Sequence, residues 1–153
     1  MTRGRAALAG AAAALAWGLL EPVDQRLLHY RYSDVAILGK AVARGRAWRP
    51  VGLAIHTANG AMFGLAWHTL SRRRRVSPTA MALAEHVVLF PLGAVVDRRH
   101  PARGTREVPR IFTWRAFVQA TWRHLLFGLL LGKLAGAPAP PPPARNAGPT
   151  ANG

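Results

Sequence analysis

Charged residues thin out over four stretches of the chain, 6–20, 51–70, 79–96 and 114–134, and polar, arginine-rich segments separate them. The first stretch reaches Val23 only by crossing Glu21 and Pro22. A helix needs about 20 predominantly apolar residues to cross the hydrocarbon core of a bilayer. The second and fourth stretches have that length, and the first is the shortest. The pattern predicts an all-α protein: a four-helix transmembrane bundle over residues 1–136, with spans at about 6–23, 51–70, 79–96 and 114–134.

The first stretch has a second reading. Arg3 and Arg5 precede an alanine-rich core, and Ala14-Leu15-Ala16 resembles a signal-peptidase site. Against cleavage, the apolar run continues through Trp17 to Leu20, and Gly10, Ala14 and Gly18 form a ridge of small side chains suited to helix packing. A retained first span is the expectation, ending at Glu21, because a residue before proline is pushed out of the α region.

Between the first two spans, "SDVAILGKAV" reads either as a short interfacial helix capped by Ser33 or Asp34, or as a solvated loop. The short loop "SRRRRVSP" makes spans two and three antiparallel neighbours. Residues 137–153 are a Pro-rich tail expected to be disordered.

Composition sharpens this picture. Half the residues are hydrophobic, yet the formal charge is +15, with 21 Lys and Arg against six Asp and Glu. The basic residues sit mostly between the apolar blocks, where they mark membrane boundaries, and Arg72, Arg73, Arg74 and Arg75 are expected to meet lipid headgroups. The two long loops carry twelve Lys and Arg, six each, against eight on the other side, which inclines them to the cytoplasm. Trp17, Trp48 and Trp114 fall near the long-loop face and Trp67 near the opposite one, positions suited to interfacial indoles. Cysteine is absent, which excludes disulfides, thiolate metal sites and cysteine nucleophiles.

Polar residues inside the spans are the candidate chemistry. Gly52, His56, Gly60, Gly64 and His68 recur every fourth residue in span two, and span four repeats the G-xxx-G theme with Gly128 and Gly132. These glycines are read as helix-packing positions. At about 1.5 Å of rise per residue, His56 and Asn59 lie about 8 and 12 Å from the long-loop face, with Glu85 and His86 at about 15–17 Å and Arg123 and His124 at about 13–15 Å. Ionisable groups at such depth face the bundle interior and pair, so Glu85 and Arg123 are the expected buried ion pair. His56, Asn59, His86, Gln119 and His124 would complete an intramembrane polar cluster.

Two uses of that cluster stay open at this point. It fixes helix packing, or it is a site in which His56, Glu85, His86 and His124 hold a metal, two histidines hold a haem, or an acid beside histidines moves protons. The expectation is that no cofactor is needed. Successive helix residues diverge by about 100 degrees, so Glu85-His86 and Arg123-His124 cannot each aim both members inward. Pro91 is expected to kink span three. The sequence holds no H-E-x-x-H, G-x-S-x-G, P-loop or dinucleotide fingerprint, and no catalytic residue is assigned.

The segments "EPVDQRLLHYRYSDVAILGK", "RPVGLAIHTANGAMFG", "AEHVVLFPLGAVVDRRHPAR" and "FVQATWRHLLFGLLLG" resemble a group of small, uncharacterised multi-span membrane proteins of actinobacteria, over residues 5 to about 136. The resemblance implies a bacterial plasma-membrane location and supplies no activity, substrate or catalytic residue. The resulting expectation is a structural or accessory multi-pass protein whose partners are the bilayer and a further membrane protein or a second copy of itself. A peripheral basic protein binding nucleic acid or anionic lipid is the rival, and it leaves the span-length apolar blocks unexplained.

Overall fold

The computed structural model describes residues 1–136 and is helical, with no strand among those residues. The Pro-rich tail lies outside the described residues. Helix α1 runs Arg3–Leu27, α2 Asp34–Val42, α3 Trp48–Ser71, α4 Pro78–Leu89, α5 Gly93–Arg99 and α6 Trp114–Ala135. Phe90–Leu92 is a 3-10 turn that joins α4 to α5 in one helical rod. The ring of Pro91 supplies no N–H to an α-helical ladder, and the tighter turn accommodates it. Among the described residues two helices are, by length and composition, long and apolar enough to cross a membrane, Arg3–Leu27 and Pro78–Arg99.

Helix starts follow local chemistry. Thr2, Ser33, Ser77 and Thr113 each accept a hydrogen bond from a backbone N–H in the first turn of α1, α2, α4 and α6. Pro78 occupies the first position of α4, where its missing N–H costs no helical bond.

One boundary differs from expectation. α1 does not stop at Glu21 but passes through Pro22 to Leu27. The physical reason is tertiary: Glu21 and Asp24, one turn apart, both bind Arg123 of α6, and this grip needs a helix on both sides of the proline.

Backbones approach closely wherever glycines face each other. Gly60 and Gly64 of α3 lie against Gly10 and Ala6 of α1, and Gly52 lies against Val35 and Gly39 of α2. Gly128 of α6 meets Thr79, and Gly132 meets Pro78, at the start of α4. α2 therefore folds back along the first half of α3, with Gly39 beside Trp48 and Val35 beside Gly52.

α1 packs on α3 and α6, and α4 packs on α6. At the short-loop end, Trp67 of α3 and Ala82 of α4 share a core with Ala9, Ala13, Phe63, Leu131 and Ala135. Toward the long loops α3 and α4 are separated by a cavity.

Loop three, residues 100–113 between α5 and α6, is pinned by side chains from elsewhere in the chain. The Asp97 carboxylate accepts hydrogen bonds from the backbone N–H groups of Ile111 (2.5 Å) and Phe112 (2.9 Å). The Tyr30 hydroxyl donates to the Arg110 carbonyl, tying the connection between α1 and α2, residues 28–33, to loop three. Lys40 Nζ donates to Glu107 Oε2 at 2.9 Å and lies over the Trp48 ring, 5.1 Å from its centroid. That hydrogen bond holds the Glu107 carboxyl below its ordinary range.

Candidate functional site

Arg123, in the middle of α6, is 2% exposed and is the centre of the polar interior. Its Nε donates to Asp24 Oδ2 (2.7 Å) and its Nη2 to Asp24 Oδ1 (2.9 Å), a two-point carboxylate clamp. Nη1 donates to Asp34 Oδ2 (2.8 Å) and to Glu21 Oε1 (3.5 Å), and Nη2 also donates to the Tyr32 carbonyl (3.0 Å). A guanidinium has five N–H groups, so each one has an acceptor. The rings of Trp17 and Tyr32 lie against it, with centroids 4.8 and 4.7 Å from Cζ.

The chain between α1 and α2 makes this possible. Residues 28–33 return from the end of α1 to the level of Glu21, so that α2 begins beside the guanidinium. Ser33 caps α2 through Ala36 N–H while its own hydroxyl donates to Glu21 Oε2 at 2.5 Å, and Val35 N–H donates to Glu21 Oε1 at 3.2 Å. The Tyr32 hydroxyl donates to Asp34 Oδ1. Burial, reinforced by the Asp34 carboxylate, pushes the Tyr32 phenol well above its ordinary value, so it stays a donor there. Of the two readings of this segment, helix or solvated loop, the helix forms, and it packs against α3 with its first turn at the Arg123 cluster.

The expected Glu85–Arg123 pair is not what the structure forms. Arg123 is fully engaged by Glu21, Asp24 and Asp34, and Glu85 has no ion-pair or hydrogen-bond partner among the described residues. The other five acidic side chains all have one: three hold Arg123, Asp97 holds loop three and Glu107 holds Lys40. Matching heights along two helices say nothing about azimuth, and Arg123 points toward α1 and α2.

Gln119 belongs to the Arg123 core. It is fully buried, and its Nε2 donates to Asp24 Oδ1 at 3.2 Å. His56, Asn59, Glu85, His86, Arg123 and His124 come together at a different feature, the walls of a cavity of about 450 Å³. Aromatic and aliphatic groups make up most of its lining, among them Trp17, Phe63, Leu89, Phe90 and Phe127. Asn59 and Glu85, both exposed, stand at its open side on α3 and α4.

Hydrogen-bond partners fix the histidine tautomers. His124 Nδ1 lies 2.8 Å from the Ala120 carbonyl, which only accepts, so Nδ1 carries a proton and Nε2 of the neutral ring is a lone pair. The Thr121 hydroxyl donates to Phe117 O, so His86 Nε2, 3.0 Å from that hydroxyl, is the donor and its Nδ1 the acceptor. The His86 and His124 rings stack with centroids 4.8 Å apart. His56 Nε2 is buried with no hydrogen-bond partner among the described residues.

Among the described residues no three His, Asp or Glu side chains are grouped so that they could hold a metal ion. The quartet His56, Glu85, His86 and His124 lines one cavity without converging as a ligand set. His68 is buried near the other end of α3, and His100 is satisfied by Ile37 O and Ala102 N–H.

Arg72, Arg73, Arg74 and Arg75 are exposed in the short loop. Two of the tryptophans expected at an interface are core residues: Trp17 is 4% exposed beside Arg123, and Trp67, 1% exposed, donates to the Val76 carbonyl at 2.9 Å. Trp114 is 75% exposed.

Sequence reasoning missed Glu21, Asp24, Asp34 and Tyr32. The available signal was the i, i+3 spacing of Glu21 and Asp24, which puts two carboxylates on one helix face if the helix outlasts Pro22. Comparison with protein-family models, with curated proteins and with solved structures gives no match.

Proposed function

We propose that this chain is a small multi-pass integral membrane protein of structural or accessory type, in which α1, α3, the α4–α5 rod and α6 are the spans and the Arg123 cluster fixes their register. The observation that carries this reading is an inverted distribution of polarity. Buried positions include Glu21, Asp24, His86, Gln119 and Arg123, whereas Leu8, Leu19, Met62, Val87, Val88 and Leu129 are exposed. The most apolar helical rod, Pro78–Arg99, has only 17% of its apolar window buried. In water that arrangement leaves apolar area solvated, a cost that a bilayer around the bundle removes, while the buried charges are offset by their pairing with one another.

Several of the polar groups that lower the apolar character of α3 and α6, His68, Gln119 and Arg123, are buried, as polar and ionisable groups in a bilayer are expected to be. The exposed arginines of the short loop suit anionic headgroups, at about 1 kcal/mol per residue near the surface. A register role follows from the chemistry of the cluster: Arg123 gives every donor to α1, α2 or the Tyr32 carbonyl, leaving none for a ligand.

Alkaline carbonate washing of membranes from cells producing the full chain tests the membrane assignment. Retention in the pellet, with release only by detergent, is the expected result. Release by carbonate alone overturns it in favour of a peripheral basic protein. A reporter fused after Gly136 tests the span count and orientation together, since an even number of spans returns it to the side of the N-terminus.

A further inference from the structure

We propose that the cavity between α3 and α4 is a binding site for one single-chain amphiphile with a protonated amine head, its chain among the aromatic side chains and its head between Glu85, His124 and Asn59. A volume of about 450 Å³ lies within the range of small-molecule sites, about 300–1,000 Å³, and is too small for a partner helix. The lining combines a mostly apolar wall with a few polar groups, as such sites do.

The sign of the head group follows from counting donors. Arg123 is the only Lys or Arg on the lining, and all five of its N–H groups are already given to protein acceptors. An anion therefore finds no free cationic donor in the cavity. Acceptors are at hand: with Nδ1 of His124 facing the Ala120 carbonyl and Nε2 of His86 facing Thr121, the other ring nitrogen of each has no hydrogen-bond partner among the described residues, and both rings lie on the lining. Glu85 alone of the six acidic side chains lacks a partner among the described residues. An ammonium group supplies three donors and a charge to that carboxylate, and its alkyl chain fills the apolar remainder. The membrane reading supplies only the route of entry, from lipid through the gap between α3 and α4; the cavity itself stands without it.

The test compares dodecylamine, dodecanol and dodecanoate, which share one chain, by native mass spectrometry of the full chain released from non-ionic detergent. Saturable binding of one dodecylamine per chain is expected, at least about tenfold tighter than dodecanoate. The formal charge of +15 biases nonspecific adducts toward the carboxylate, so this preference runs against the background. Glu85→Gln, at an exposed position, is expected to cost the amine about tenfold and leave dodecanol within about twofold. His124→Phe keeps a ring against His86 while removing Nε2, and is expected to weaken amine and alcohol together; circular dichroism of both variants checks that they are folded. Equal binding of dodecanoate, non-saturating adducts, or an amine affinity untouched by Glu85→Gln in folded protein overturns the proposal. The carbonate wash is a separate experiment, so failure of the membrane reading and failure of the cavity are distinguishable.

Discussion

Arg123 and Asp24, 99 positions apart, meet through two parallel hydrogen bonds of 2.7 and 2.9 Å at a depth where α1 has already passed its proline. That clamp joins the first and last helices of the described chain, and Asp34 and Glu21 extend it to α2. Removing one member of such a cluster leaves the others buried without compensation, which costs about 3–5 kcal/mol. Arg123→Met, which strands three carboxylates, is expected to lower the unfolding temperature in detergent far more than Glu85→Gln, whose side chain has no partner to lose. A similar loss for both substitutions would mean that Glu85, not the α1 acids, holds the helices.

The long helices were legible because apolar runs end where arginines begin: stretches 51–70 and 114–134 fall within helices Trp48–Ser71 and Trp114–Ala135. His56, Asn59, Glu85, His86, Arg123 and His124, which helix rise alone sets at similar heights, all line one cavity. The partner of Arg123 was not. Pro22 signals a helix end locally, and only the tertiary grip on Glu21 and Asp24 carries the helix through it. Nor does periodicity disclose a segment such as 28–33 that turns back into the bundle and delivers Asp34 to the guanidinium.

Glycine positions separate by what a methyl group would meet. At Gly60 an added Cβ runs into Ala14 and the Gly10 carbonyl, so Gly60→Ala must push α1 from α3 and is expected to cost about 1–3 kcal/mol. Gly4 sits in the first turns of α1 with nothing near its Cβ position, so Gly4→Ala is expected to stabilise by up to about 1 kcal/mol, from helix propensity. Thermal unfolding of both variants in one detergent checks the contrast; the same sign for both would remove the packing argument for the α1–α3 crossing.

The Lys40–Glu107 contact gives a pH signature away from the four long helical segments. Because the Glu107 carboxyl is held below its ordinary range, its contribution is present above the usual glutamate pKa of about 4.3 and disappears as pH falls through the lower folded value. The pair is partly exposed and solvent-screened, so its contribution is expected to be below about 1 kcal/mol. Glu107→Gln should therefore lower stability slightly at pH 7 and match the parent protein near the acid limit. A difference that grows as pH falls would contradict the assigned direction.

Loop three offers the most direct readout of the polar anchors. Asp97 holds the backbone of Ile111 and Phe112, and Tyr30 holds the carbonyl of Arg110, so three consecutive residues are fixed by two side chains from elsewhere in the chain. Asp97→Ala leaves two backbone N–H groups without their acceptor, which loosens the segment ahead of α6 without touching the Arg123 cluster. Arg103, Arg106 and Arg110 make that segment a trypsin substrate whenever it opens. Limited trypsin digestion in detergent is expected to cut Asp97→Ala faster than the parent after Arg110, with the fragments 1–110 and 111–153 identified by mass. The thermal unfolding midpoint should move less than for Arg123→Met, because the clamp on α1 is intact. Unchanged cleavage after Arg110 would show that the loop is held by its other contacts, and that the Asp97 carboxylate is not the latch its hydrogen bonds describe.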